Sequence, residues 1–144
     1  MQNFQGERLV GALSGTGGAQ IVLDDTIKYC KDRNAFGRPL VGFQVVRHQL
    51  VDCETELEVC RTLSYHAADL FERKVPCQRE ISMAKLFVAE KTMEVIDRCV
   101  QLHGGMGYAE EAGIARAWRD ARLLRIGGGS SEIMKEIITK CMGL

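Results

Sequence analysis

FQVVRHQLVDCETELEVCRTLSYHAADLF, residues 43–71, decides the fold. Within it Phe43, Val46, Leu50, Cys53, Leu57, Cys60, Ser64, Ala67 and Phe71 recur at alternating intervals of three and four. That alternation draws one apolar stripe along one side of a helix, the seam of a helix packed against antiparallel partners. It predicts a long helix from Phe43 to about Lys74. Val75-Pro76 ends it, because proline cannot continue the backbone ladder. Immediately beyond, Glu80 to His103 carries two stripes: Ile81-Ala84-Val88-Val95-Cys99-Leu102 and Leu86-Ala89-Met93-Ile96-Val100. A helix that is apolar on two sides is buried on two sides, so this one lies near the middle of a bundle.

Working outward, Leu9, Leu13, Leu23 and Ile27 keep helical spacing between Glu7 and about Arg33. Gly11, Gly15, Gly17 and Gly18 interrupt the same stretch, each costing about 1 kcal/mol of helix propensity. The reading is still one helix, whose small residues let another backbone or a flat ligand approach. Met1 to Gly6 reads as a cut edge or incoming connector. Asn34 to Gly42 reads as a turn, with Gly37 and Gly42 flanking Pro39. A shorter helix around Gly113 to Arg122 and a final one from Ser130 to Met142 complete the set. No strand alternation or repeat is visible. The expected fold is all-α: an antiparallel, up-and-down four-helix bundle with a short additional helix, one domain over residues 1–144.

Composition narrows the function. The chain has 144 residues, with Lys+Arg and Asp+Glu both at 19 and a formal net charge of zero. Basic residues are interleaved with acids, which argues against a nucleic-acid or membrane-surface partner. No apolar run approaches the roughly 20 residues of a membrane span, and no signal-peptide pattern opens the chain. Cys30, Cys53, Cys60, Cys77, Cys99 and Cys141 are scattered, mostly on apolar-periodic positions, which suits a reducing compartment inside the cell. His48, His66 and His103 do not cluster at ligand spacing, so no metal site is expected.

Two glycine clusters carry the chemistry: Gln101-Leu102-His103-Gly104-Gly105-Met106-Gly107-Tyr108 and Gly127-Gly128-Gly129-Ser130-Ser131-Glu132. The second runs into a helix start with a hydroxyl cap and an acid in the first turn. Backbone amides there suit a phosphate or an oxygen gaining negative charge. On spacing alone, two ordinary inter-helix loops are the simpler reading.

The blocks taken together resolve this. Tyr29-x-x-x-Arg33-x-x-Phe36-Gly37-Arg38-Pro39-Leu40-x-x-Phe43-Gln44, Ala84-Lys85, Gln101-x-x-Gly104-Gly105-x-Gly107-Tyr108, Arg119-Asp120-Ala121-Arg122 and Gly129-Ser130-Ser131-Glu132 stand in one order along the chain. This pattern resembles the C-terminal domain of the flavin-dependent acyl-CoA dehydrogenases, over about Phe4 to Cys141. The resemblance implies a bundle that walls the FAD and acyl-CoA site and forms the core of a homo-oligomer, a dimer or a dimer of dimers. It implies FAD contacts from Arg33, Phe36, Gln44, Gln101, Gly104, Gly105, Ser130 and Glu132, some of them across a subunit interface. Arg8 and Gly129 fall at substrate-binding positions.

One departure concerns the base. Many members of the family carry a glutamate where this chain has Gly128, and a smaller branch, isovaleryl- and long-chain-like, keeps its base on the first helix in a Glu-Arg-Leu motif. Glu7-Arg8-Leu9 matches that motif. The implied reaction is α,β-desaturation of an acyl-CoA thioester, with Glu7 removing the α-proton, the flavin taking the β-hydride and the Gly128 N–H helping to hold the carbonyl oxygen. Electron-transfer flavoprotein or a similar acceptor is the implied redox partner. The family's N-terminal helical and middle β-domains have no counterpart in these residues. A non-catalytic helical interaction module is therefore the competing expectation, and the resemblance does not distinguish mitochondrial matrix, peroxisome and cytoplasm.

Overall fold

The computed structural model describes residues 3–144. Its elements run α1 (Asn3–Asp32), β1 (Asn34–Ala35), β2 (Arg38–Pro39), a 3-10 turn (Leu40–Gly42), α2 (Gln44–Glu72) and α3 (Gln78–His103). After these come α4 (Gly105–Tyr108), a 3-10 turn (Glu110–Ala112), α5 (Ile114–Arg122), another 3-10 turn (Leu123–Arg125) and α6 (Ser131–Met142). The four long helices form the expected bundle. Its first helix starts earlier than its periodicity implies, at Asn3, so residues 3–6 are helical rather than a connector. The glycines at 11, 15, 17 and 18 do not break it. Gly15 is required by packing, since a Cβ there would lie 2.9 Å from Leu124 Cδ1 and 3.2 Å from Val88 Cγ1.

Two local features escaped the periodicity. Residues 34–39 form a minimal antiparallel ladder, pairing Asn34 with Pro39 and Ala35 with Arg38. Phe36 (φ 52°) and Gly37 (φ 81°) both lie at positive φ, the requirement of a two-residue hairpin turn. The link after α2 is equally specific. Lys74 sits at φ 57°, its N–H reaches Phe71 O at 3.1 Å, and the Val75 N–H reaches Leu70 O at 3.0 Å. This is a Schellman closure, with Pro76 just beyond it.

Side-chain contacts give the helix directions. The Tyr29 and His103 rings stack at 4.2 Å, which sets the C-terminal ends of α1 and α3 side by side and makes the two parallel. Arg98, late in α3, grips Glu56, in the first half of α2, at 2.7 and 2.9 Å, so these two are antiparallel. Trp118 Nε1 donates to Asp97 and Arg125 pairs with Glu90, so the segment beginning with α5 runs back along α3.

The core falls into two connected groups. Leu23, Leu50, Cys53, Leu57, Val95 and Cys99 fill one end, and Leu9, Ala12, Cys60, Ala67, Ile81, Ala84 and Val88 fill the other. The seam of α2 is buried from Val46 to Ala67 but lets go at its ends, where Phe43 is half-buried and Phe71 exposed. Both stripes of α3 are inside, except that Leu86, Val100 and Leu102 are only half-covered. All six cysteines are free thiols, five of them buried. Among the described residues no helix is long and apolar enough to cross a membrane, and no group of three or more metal-ligating side chains could hold an ion.

Two measurements check this packing. Leu57 is wholly buried, and Leu57→Ala should cost about 2–5 kcal/mol in denaturant unfolding; a loss below about 0.5 kcal/mol would put the seam in solvent. Burial, with a smaller contribution from Glu56, pushes the Cys60 thiol up to about 11. At pH 8 a thiol reagent should therefore label Cys141 promptly and Cys60 only after unfolding, because both access and thiolate are lacking.

Candidate functional site

Glu7, Arg8 and Gly11 lie on successive turns of α1 and face the loop that leads into α6. Together with Lys85 of α3, Asp120 of α5, Leu123, Leu124, Gly127 and Gly128 they line a cavity of about 230 Å³. Glu7 is exposed at its mouth. The loop itself is held by side chains from two helices. Arg8 Nε donates to Gly128 O at 3.0 Å, and Lys85 Nζ donates to Gly129 O. Ser131 Oγ donates to Glu90 Oε1 at 2.5 Å, and Arg125 pairs with Glu90 Oε2 at 2.6 Å. The Gly128 N–H has no partner among the described residues.

Glycine is needed here for conformational reasons. Gly128 has φ 69° and Gly129 φ 107°, angles that side chains resist. Space differs between the two. A Cβ at Gly128 would meet only Arg8 Cγ, at 3.8 Å, whereas one at Gly129 would press on Met134 Cε at 2.8 Å.

Charge is arranged to match. Lys85 is 4% exposed, and burial first and Arg8 second pull its pKa down, with Glu90 and Glu132 acting in the opposite sense. Ser130 caps α6, its Oγ accepting from the Ile133 N–H at 3.4 Å. Glu132 stands in the first turn, and its bond to Ser130 followed by that to its own backbone holds its carboxyl below the usual range. Such a helix start attracts anions.

The remaining sequence-predicted residues lie at the other end. Arg33 and Gln101 are exposed where α1 and α3 finish, tied by Tyr29, whose hydroxyl also donates to His103 O at 3.3 Å. The Phe36 ring is 97% exposed, touching Phe43 edge-on at 6.3 Å, while Arg38 stacks over Phe43 at 4.0 Å. Gln44 Nε2 is 3.3 Å from His48 Nε2. Gly104 (φ 57°) turns the chain into Gly105 and the one-turn α4. In this cluster only Gly107 is fixed by contact, for a Cβ there would lie 2.3 Å from Val100 O. Glu7 and Arg33 are 26 residues apart along a nearly continuous helix, so the two groups are separated by about 39 Å at 1.5 Å per residue.

The structure thus brings Glu7, Arg8 and Gly128 into one cavity, with Gly129, Ser130 and Glu132 adjoining. Arg33, Phe36, Gln44, Gln101, Gly104 and Gly105 gather at the far end and meet none of the first group. Sequence reasoning passed over Glu90 and gave no role to Lys85 and Asp120, which it met only as members of the ordered blocks. Lys85 left a signal, since it is a cation four residues after Ile81 and three before Val88, on a face that is otherwise apolar.

Comparison with known proteins gives a family, although the relatives named include reductases and an acyl-carrier-protein oxidase beside dehydrogenases. Residues 1–143 match the family model described as acyl-CoA dehydrogenase, C-terminal domain. The probable acyl-CoA dehydrogenase YngJ of Bacillus subtilis is 36% identical over 140 residues, covering 97% of this chain and 37% of that protein. The caffeyl-CoA reductase-Etf complex subunit CarC of Acetobacterium woodii is 37% identical over 139 residues, 96% of this chain and 37% of its own. The crystal structure of acyl-CoA dehydrogenase from Geobacillus kaustophilus superposes with a TM-score of 0.97 at 36% identity, over 100% of this chain and 38% of that one. The chain therefore spans little more than a third of the relatives it matches.

The loop geometry makes a comparative prediction. Gly128→Ala meets no clash and should cost about 1–2 kcal/mol for its left-handed backbone. Gly129→Ala should cost more, up to about 3 kcal/mol, because its φ suits no side chain and Met134 must move. Thermal unfolding of the two variants ranks them; equal losses would mean that the loop relaxes freely.

Proposed function

The chain belongs to the acyl-CoA dehydrogenase family, as its C-terminal domain, and from that membership we propose that the full-length protein is a FAD-dependent enzyme that desaturates an acyl-CoA thioester between Cα and Cβ. The observation that carries this reading is the cavity lined by both Glu7 and Gly128, whose N–H has no partner among the described residues. Relatives named as enzymes across almost the whole chain weigh against a non-catalytic interaction module.

The residues fit the cofactor. A flavin dinucleotide brings a diphosphate and flat rings, and the chain offers an exposed guanidinium at Arg33 and an apolar ring held out at Phe36. It also offers a capped helix start at Ser130. Arg33, Phe36, Gln44, Gln101, Gly104 and Gly105 would hold one cofactor, and Ser130 and Glu132 another. Because about 39 Å separates the groups, one flavin cannot reach both, which supports sites shared between copies in a homo-oligomer. Leu123 and Ile126, 64% and 58% exposed beside the cavity, provide apolar surface for that cofactor or for the rest of the protein to cover. FAD, when bound, accepts the β-hydrogen as hydride.

This chain's own part is proton chemistry. The α-hydrogen of a thioester is too weak an acid for an unaided carboxylate, so negative charge must be stabilised on the carbonyl oxygen as the proton leaves. The Gly128 N–H is free to donate to that oxygen, and Glu7 takes the proton. Arg8, bonded to the neighbouring carbonyl, orients the loop and lends positive charge to the thioester binding site. CarC, named as part of a complex with Etf, supports an electron-transfer flavoprotein as the acceptor. The buried thiols suit a reducing compartment.

In the full-length enzyme Glu7→Gln should leave FAD and acyl-CoA bound but slow anaerobic flavin bleaching by about 10²–10⁴. The exchange Glu7→Gly with Gly128→Glu should restore part of the rate, since a Cβ at 128 has room beside Arg8. Bleaching of Glu7→Gln at the parental rate would place the base elsewhere.

A further inference from the structure

Three consecutive glycines, Gly127 to Gly129, form the loosest tripeptide the backbone allows, yet the proposed reaction needs one of their amides aimed at a single point. Within the loop the Gly127 N–H is tied to Leu123 O at 2.8 Å, and no bond there supplies stiffness at Gly128 or Gly129. It comes from outside, as two cations that grip two successive carbonyls: Arg8 holds Gly128 O at 3.0 Å and Lys85 holds Gly129 O. Lys85 reaches this point from the buried face of α3 and is 4% exposed. A buried ammonium beside a guanidinium is a costly arrangement that a mere packing residue would not need. A methionine or leucine would fill the same space between Ile81 and Val88.

We propose that Lys85 is a positioning residue for the reaction: Arg8 holds the peptide plane that follows Gly128 and Lys85 holds the next one, and with the Gly127 N–H bonded to Leu123 O on the other side the plane carrying the Gly128 N–H is bracketed between fixed points. The inference rests on the functional reading above for its catalytic consequence, but not for the clamp itself. Arg8 alone holds one plane beyond Gly128; without Lys85 the plane after Gly129 is free and the bracket rests on a single point on that side. Glu90 secures the flanks of the glycines, at Arg125 and Ser131, and not the glycines themselves. Lys85 touches neither the thioester nor Glu7 in this scheme. Its removal should therefore weaken the response to developing charge rather than the binding of substrate.

The test uses the full-length flavoenzyme with Lys85→Met, which keeps the length and loses the donor, and Lys85→Gln, which keeps a shorter donor and serves if the first does not fold. Hydrogen exchange of the peptide covering residues 127–133 should accelerate at least tenfold in the Met variant, with α1 to α3 unchanged. Anaerobic flavin reduction at saturating acyl-CoA should fall at least tenfold, while the half-saturating concentration moves less than threefold. The Gln variant should fall between parent and Met variant on both scales. Parental exchange in residues 127–133, or a parental reduction rate at saturation in a variant that merely melts earlier, would overturn the proposal. A parent enzyme that no acyl-CoA bleaches would instead sink the functional reading, while loop exchange would still decide the clamp.

Discussion

α3 must be buried on both sides, and the rest of the molecule follows from that constraint. It packs against α1, α2, α4, α5 and α6. A helix so enclosed can carry a polar group only where a partner waits, because an unpaired buried donor or charge costs several kcal/mol. The polar side chains of α3 meet the requirement in different ways, save Thr92, whose buried hydroxyl has no partner. Ser82 bonds back to Gln78 O at 2.7 Å, Arg98 forks onto Glu56, and Lys91 pairs with Glu94. Glu90 takes both Arg125 and Ser131, and Lys85 takes the carbonyl of Gly129. The last two tie the α6 loop to the core, so satisfying α3 and shaping the cavity are one event.

The cavity shows how a bundle can hold a loop made of glycine in one conformation. Gly128 and Gly129 need positive φ and would otherwise wander. Side chains anchored on rigid helices restrict them, which is more precise than any loop could be on its own. Departing from a glutamate at 128 also has a physical consequence. A glycine there leaves the loop without a side chain, and the cations at 8 and 85 hold its carbonyls.

Length sets the second constraint. α1 runs unbroken for 30 residues, long enough that the groups near Glu7 and near Arg33 lie at opposite ends of the bundle. Tyr29 stacked on His103 keeps the far end in register with α3. A domain built this way is a strut, and the fully exposed Phe36 and the bare surface of Leu123 and Ile126 lie at its opposite ends.

Sequence by itself determined the helices, their order and the faces they bury, because 3.6-residue periodicity and breakers such as Pro76 are local properties. It also determined which residues could act, through blocks such as Glu7-Arg8-Leu9 and Gly127 to Glu132. The 34–39 hairpin stayed hidden because a phenylalanine at positive φ is not a turn signal. Only the tertiary structure decided that Glu7 and Gly128, 121 residues apart, share a cavity while Glu7 and Arg33 do not. It alone turned Lys85 from an anomaly in an apolar stripe into the holder of the Gly129 carbonyl. The reason is that contact between distant segments depends on how whole helices pack, which no window of sequence contains.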